Sequence, residues 1–339
     1  MDEFEKMYLR LGTNHGESTS LYNAFDYYFF ESKTGVFGSE VVLKHPEIFE
    51  KSDGAIVYKG DESKGLHTRV FINKEGLPTY EAKDIGNYEK KLKLLPDASF
   101  YVVVTASEQN EYFKVVNTVA TKIHKELAGK LVHTSHGMMR LEEGKMSSRT
   151  GNVIGGEDLL LAVKERLKEK LDEMRVDDSA KAELLNDIAV GAIKFSILKI
   201  APGKDIIFDF EKSISFLGDS GPYLQYTHAR LSALLDNAKE SWVSFEHGYV
   251  VEFPEKELEK VLLGYKEVMD KAYRELGPHH IIQYLLLLTR VFNSMYARVQ
   301  IVDKEDKDNS GYYVMLATAT KNILAHGLYT LGIKAPERM

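Results

Sequence analysis

The residues best suited to chemistry lie between positions 131 and 154, LVHTSHGMMRLEEGKMSSRTGNVI. Lys145, set between Gly144 and the hydroxyl-bearing Ser147 and Ser148, carries an ammonium on a long stem within a polar loop. Such a group can reach over a cleft and neutralise phosphate oxygens whose charge grows as a bond breaks. A solvated surface loop would explain any single Lys-Ser pair, because short motifs match by chance. The fixed short distance from His136-Gly137-Met138 favours the chemical role, with Arg149 as a second cation. At 136–138 glycine lets backbone approach a flat ring and methionine offers a soft apolar contact, which suits an adenine site. A tight strand end with methionine in the core is the competing explanation, nearly as good for Met139.

A second pair sits earlier. A helix is predicted to start soon after Pro78, and there Tyr80 and Asp84 fall four residues apart, hence on one face. A carboxylate accepts the forked donors of a guanidinium bidentately, and a tyrosine beside it supplies a wall and a hydroxyl. An ordinary surface helix with a solvated Asp fits the same spacing. His15, alone in a Gly/Ser/Thr/Asn loop, is assigned no role.

The elements that must position these groups are legible around them. FYVVVT at 100–105 is a continuous apolar run of the kind a fully buried parallel strand needs. Tyr112, Val115, Val116, Val119, Ile123 and Leu127 then recur at helical spacing, Gly129 follows, and a second apolar run opens at 131. Strand, helix, strand is a βαβ unit, which puts functional loops at the carboxyl ends of its strands. Upstream, AIVYKG and HTRVFI alternate as paired strands joined by Gly60–Gly65, and residues 73–76 make a turn.

Beyond the loop the period turns helical. One amphipathic helix carries Leu160, Val163, Leu167, Leu171 and Met174; another carries Leu185, Ile188, Ala189, Ala192, Ile193 and Ser196. An irregular stretch with a short extended element, IIFDF, follows. Ser220-Gly221-Pro222 is a helix start, and further helices are predicted over 258–276, 279–302 and 312–331, giving an antiparallel bundle. Tyrosines and cations interleave on these helices, a pattern that suits unpaired bases and phosphates but equally an ordinary core.

Composition sets outer limits. The chain has 339 residues, enough for two domains, and a net charge of −7, which argues against indiscriminate nucleic-acid binding and leaves local patches to attract phosphate. With no cysteine, disulfides and thiolate metal sites are excluded. The most apolar run, IIQYLLLLTRVF, is cut by Gln283 and Arg290 short of a membrane span, and the start has no signal pattern, so a cytoplasmic protein without membrane contact is expected. No Gly-x-x-x-x-Gly-Lys-Ser/Thr occurs, which disfavours an unrelated ATPase.

KMSS after an HGM-type strand end resembles the second signature of class I aminoacyl-tRNA synthetases. LPTYEAKDIG at 77–86, SGPYLQYTHARLSALL at 220–235 and the ending LGIKAPERM narrow the resemblance to the arginyl-tRNA synthetases, in order over nearly the whole chain. The resemblance implies a partial Rossmann-like α/β catalytic domain followed by an all-α anticodon-binding bundle. The expected boundaries are 1–156 for the second half of the catalytic domain, 157–215 for a helical connection and 216–339 for the bundle. It implies arginine activation with ATP and its Mg2+ counter-ion, transfer to tRNA(Arg), and no metal held by the protein itself. Tyr80, Asp84 and Gln109 match the arginine-holding positions; His136, Gly137, Met138 and Lys145 those at ATP, with Ser147 and Ser148 beside the catalytic lysine. Tyr223, Gln225, Arg230, Asn293, Tyr296, Arg298 and Met339 are the expected tRNA contacts.

One departure matters. The family's first signature, His-x-Gly-His, does not occur, and Asn14-His15-Gly16-Glu17 does not replace it. The expectation is therefore a carboxyl-terminal part, truncated or completed by a separate chain; a non-catalytic tRNA-binding module or an inactive paralogue is the alternative.

Overall fold

The computed structural model describes residues 2–13, 25–142, 155–172, 178–241 and 255–339. The chain divides into two compact units. The smaller holds Phe25–Met138 with Pro202–Lys204; the larger takes the described residues of Met1–Ala24, Met139–Ala201 and Asp205–Met339. The larger unit begins with α1 (Asp2–Arg10), whose Arg10 pairs with Glu157 at 2.6 Å.

The smaller unit starts with α2 (Glu31–Leu43), followed by an antiparallel sheet of β1 (Glu50–Ser52), β2 (Ala55–Tyr58) and β3 (Arg69–Ile72). The paired strands expected at 54–72 are β2 and β3; β1 and α2 carry no strong periodic signal and went unforeseen. Helix α3 (Tyr80–Leu94) starts where expected after Pro78. Thr79 fixes that start, since its hydroxyl donates to the carbonyls of Val70 and Phe71 at 2.7 and 3.0 Å and so ties the first turn to β3.

Two glycines decide how α3 lies. A Cβ on Gly38 of α2 would meet the Ala82 carbonyl oxygen at 1.8 Å, and one on Gly86 of α3 would meet the Thr34 oxygen at 2.1 Å. The helices thus touch backbone to backbone, which only glycine permits. With Ala82, Ile85 and Gly86 turned inward, Tyr80, Asp84 and Asn87 are left along a different stripe of the helix.

The βαβ unit is present as β4 (Tyr101–Ala106), α4 (Asn110–Ile123) and β5 (Leu131–His136), the strands parallel and paired from Tyr101–Leu131 to Ala106–His136. Val115, Val116 and Val119 are completely buried and pack with Phe71, Ile85 and Leu127 into the core of this unit. Leu127 belongs to that core but lies beyond α4, in a separate turn ended by Gly129 at φ +76°. The expectation of a fully buried strand at 100–105 is corrected: Val102 and Val104 are 43% and 64% exposed. Among the described residues β4 and β5 form a sheet of two strands, and α4 covers one face of it.

After α1 the larger unit continues with β6 (Met139–Leu141), α5 (Gly156–Asp172), α6 (Asp178–Leu198), β7 (Ile206–Phe208) and the short α7 (Phe210–Ser213). β7 is the extended IIFDF element and pairs in parallel with β6. Helices α8 (Gly221–Glu240), α9 (Lys256–Leu263), α10 (Tyr265–Glu275), α11 (His279–Tyr296) and α12 (Lys307–Thr330) share one apolar core, with Leu224, Leu285, Leu288 and Leu324 fully enclosed. Ser220 caps α8 as expected, its hydroxyl accepting from the Tyr223 amide at 3.1 Å.

Three helix limits differ from the sequence reading. The helix expected over 258–276 is two, divided at Gly264, a residue type that disfavours a helix interior. The next ends at Tyr296 rather than 302. The last begins five residues early because Asp306 caps it, accepting from the Asn309 amide at 3.2 Å.

Candidate functional site

A cavity of about 580 Å³ lies within the smaller unit, lined by residues of α2, α3, β3 and the carboxyl end of β4 with the start of α4. Tyr80, Asp84 and Gln109 all border it, so the three positions matched to arginine binding converge although they come from two separate stretches. Gln109 sits in the turn that follows β4, where a parallel strand delivers its loop residues. Tyr80 is 66% exposed, and the Lys83 ammonium lies 4.6 Å from the centre of its ring.

Asp84 is the electrostatic centre. Its Oδ2 accepts a 2.6 Å hydrogen bond from the Tyr112 hydroxyl, which aims the carboxylate from across the cavity. Burial pushes the Asp84 carboxyl above the ordinary carboxylate value, against the opposing pull of the Tyr112 bond and of Lys91. Burial and the neighbouring Asp84 push the Tyr112 hydroxyl up as well, so it stays a donor. Arg69 and Lys83 also face the cavity, and each is committed to an acid: Arg69 to Glu81 at 3.6 Å, Lys83 to Glu31 at 2.7 Å. Asp84 and Glu108 then give the walls a negative balance. A flat cation with several donors fits such a lining: the carboxylate takes its fork and the aromatic ring its face.

The spacing rule found Tyr80 and Asp84 but not their partner, since Tyr112 reads as one more apolar position in the α4 stripe. Asn87 was missed too, although it continues the same face of α3, three residues beyond Asp84.

Of the nucleotide-side positions, His136, Gly137 and Met138 stand at and just beyond the carboxyl end of β5. His136 is exposed, with Nδ1 2.9 Å from the Gly137 carbonyl oxygen, Gly137 is buried, and Met138 is 43% exposed. Lys145, Ser147, Ser148 and Arg149, like His15, lie outside the described residues. Among the described residues no cluster of three or more His, Cys, Asp or Glu side chains could hold a metal ion.

In the larger unit, four of the seven tRNA positions meet in two pairs. Asn293 donates to the Tyr223 hydroxyl at 2.9 Å, and the Arg230 guanidinium lies 4.5 Å from the centre of the Tyr296 ring. Arg298 stands apart, exposed and paired with Glu255 at 3.3 Å. Gln225 is not on the surface: it is fully buried, and its amide donates to the backbone oxygens of Asp187 and Lys334 at 3.1 and 2.9 Å. Its amide nitrogen holds the chain end against α6 and α8, and its complete burial removes it from the RNA-facing set. Met339 is half-buried against the apolar cluster of α5 and α6.

Residues 21–210 match the family model for tRNA synthetases class I (R), catalytic domain, and residues 224–339 that for the DALR anticodon binding domain. The arginine--tRNA ligase of Flavobacterium psychrophilum is 32% identical over 100% of this chain and 55% of its own length; that of Bacteroides fragilis is 31% identical over 99% and 56%. The Thermus thermophilus arginyl-tRNA synthetase structure superposes with a TM-score of 0.76 at 25% identity, covering 91% of this chain and 58% of that one. The chain thus spans about half the length of the curated relatives it matches. No helix among the described residues is long and apolar enough to cross a membrane. A catalytic-domain match over more than half of the sequence, followed by the matching anticodon-binding domain, establishes that this chain belongs to the arginyl family of class I tRNA synthetases.

Proposed function

We propose that the chain carries out the chemistry of an arginine--tRNA ligase, with L-arginine held in the cavity of the smaller unit. The observation that carries this reading is the convergence of Tyr80, Asp84 and Gln109 on one cavity, with the Asp84 carboxylate enclosed and aimed by Tyr112. In the first step an oxygen of arginine's carboxylate attacks the α-phosphorus of ATP, and the bond to the bridging oxygen breaks to release pyrophosphate. In the second a ribose hydroxyl at the tRNA 3′ end attacks the arginyl carbonyl and AMP departs. Such chemistry relies on positioning and charge stabilisation more than on a protein nucleophile.

In this reading Asp84 receives the guanidinium, Tyr80 flanks it, and Gln109 bonds the amino acid's polar groups. His136, Gly137 and Met138 border the adenine; ATP enters as substrate with Mg2+ as its counter-ion. Lys145, helped by Ser147 and Ser148, stabilises the departing pyrophosphate. Tyr223, Asn293, Arg230 and Tyr296 face tRNA(Arg), with Arg298 and Met339 nearby in sequence to those helices or to the chain end. Residues 1–156 form the second half of the catalytic domain, 157–215 the connection and 216–339 the anticodon-binding domain, in a cytoplasmic protein whose nucleotide fold is completed by further polypeptide.

The test is arginine-dependent ATP–pyrophosphate exchange in the presence of tRNA(Arg). It is run with the chain alone and after mixing with the portion of the Flavobacterium psychrophilum relative that this chain does not span. Exchange that Lys145→Ala abolishes supports the ligase. A chain that binds tRNA(Arg) but neither L-arginine nor ATP, in either condition, is instead a tRNA-binding module.

A further inference from the structure

Asn87 lies on the stripe of α3 that carries Tyr80 and Asp84, and its side chain borders the same cavity. Its Oδ1 is buried and has no hydrogen-bond partner among the described residues. A buried carbonyl oxygen left unpaired costs about 1–3 kcal/mol. Asparagine is also a poor residue for a helix interior, because its amide competes for backbone bonds. The orphaned acceptor stands one helical turn from a carboxylate already aimed at the cavity.

The ligand proposed for this cavity has the complementary need. A guanidinium presents five N–H donors in one plane and no acceptor. Asp84 can take two of them in a fork, and one of its oxygens is already shared with the Tyr112 hydroxyl. Arg69 and Lys83 are donors, Glu31 is committed to Lys83, and Glu108 and Gln109 come from the turn after β4, so on the α3 wall the neutral acceptor beside Asp84 is the group placed to receive a further N–H.

We infer that Asn87 is a specificity-determining residue of the arginine site, its side-chain oxygen accepting a guanidinium N–H that Asp84 does not reach. The inference rests on the arginine reading of the cavity and deepens it. Its consequence is selection against L-citrulline, in which a urea oxygen replaces one guanidinium nitrogen. That oxygen would meet another acceptor where the site expects a donor, and a site built to bond a donor rejects the analogue lacking it. Charge alone cannot supply this contact; Asp84 would attract any cation of suitable size.

The experiment is calorimetric titration of the full 339-residue chain with L-arginine and L-citrulline, alongside Asn87→Leu and Asn87→Asp. Leucine keeps the volume and removes the acceptor; aspartate keeps an acceptor and cannot turn a donor toward citrulline. Asn87→Leu is expected to weaken L-arginine by at least about tenfold and to narrow the arginine-to-citrulline ratio. Asn87→Asp is expected to restore both. Should Asn87→Leu not fold, as judged by its thermal melt, Asn87→Ala carries the same expectation. An unchanged ratio in the leucine or alanine variant overturns the inference, and so does an aspartate variant that loses as much as leucine, since that marks packing alone. A wild-type chain that binds no L-arginine, either alone or after mixing with the portion of the Flavobacterium psychrophilum relative that it does not span, defeats the proposed function together with this inference. Wild-type binding that Asn87→Leu leaves intact defeats only the role of Asn87.

Discussion

Replacing Asp84 by asparagine gives the sharpest test of the cavity. The substitution keeps the shape and one neutral acceptor, so the Tyr112 hydroxyl retains a partner, but the charge is gone. Hydrogen bonds to a charged group contribute about 1.5–3 kcal/mol each and neutral ones about half of that. Losing the charge from a two-bond fork therefore weakens L-arginine by about 1.5–3 kcal/mol, roughly 10- to 150-fold. Isothermal titration of the 339-residue chain with L-arginine measures this directly.

The same variant carries a pH signature whose sign follows from burial. Burial raises the Asp84 carboxyl above its ordinary value in the empty chain, so below that raised value the free site holds a proton that a guanidinium must displace. Arginine affinity should then rise with pH up to the raised value and level off above it, and the slope should vanish in Asp84→Asn. Stability moves the other way. An acid whose folded-state value is raised opposes folding above that value, and the folded chain is favoured as pH falls through it. The asparagine variant should accordingly melt no lower than the wild type near neutral pH while losing its ligand. If arginine binds both proteins equally, or the pH slope survives the substitution, Asp84 is not the guanidinium acceptor.

Two further outcomes follow from the packing. Gly86→Val should lower stability by about 3 kcal/mol or more in urea unfolding, because its Cβ would lie 2.1 Å from the Thr34 oxygen and α2 and α3 would have to separate; stability within 1 kcal/mol of the wild type, by the same rough scale, would contradict the close contact. Arg230→Ala combined with Tyr296→Ala should weaken tRNA(Arg) in filter binding by about 5- to 100-fold, the scale of losing a base-stacking platform, and leave L-arginine titration unchanged.

The chain shows which kinds of information its sequence carries. Periodicity and capping are local, and they located β4, α4, β5 and the start of α8 because each depends on residues a few positions apart. Gln225 defeats the same method. On α8 it has the spacing of an RNA-facing residue, yet the acceptors that bury it are backbone oxygens 38 and 109 residues away. No pattern in α8 distinguishes a solvated amide from one used to hold the chain end. Val102 and Val104 fail for a related reason: a continuous apolar run states that a strand can be covered on both faces, and the covering elements are decided elsewhere. The cavity sits between these cases. Spacing alone puts Tyr80 and Asp84 on one side of a helix, but which side faces the core is set by Gly38 and Gly86, whose contact turns Ala82 and Ile85 inward and leaves Asp84 and Asn87 on the cavity wall. The glycine pair is the feature that converts a helical spacing into a binding wall, which is why a substitution at Gly86, which does not itself line the cavity, should disturb arginine recognition as well as stability.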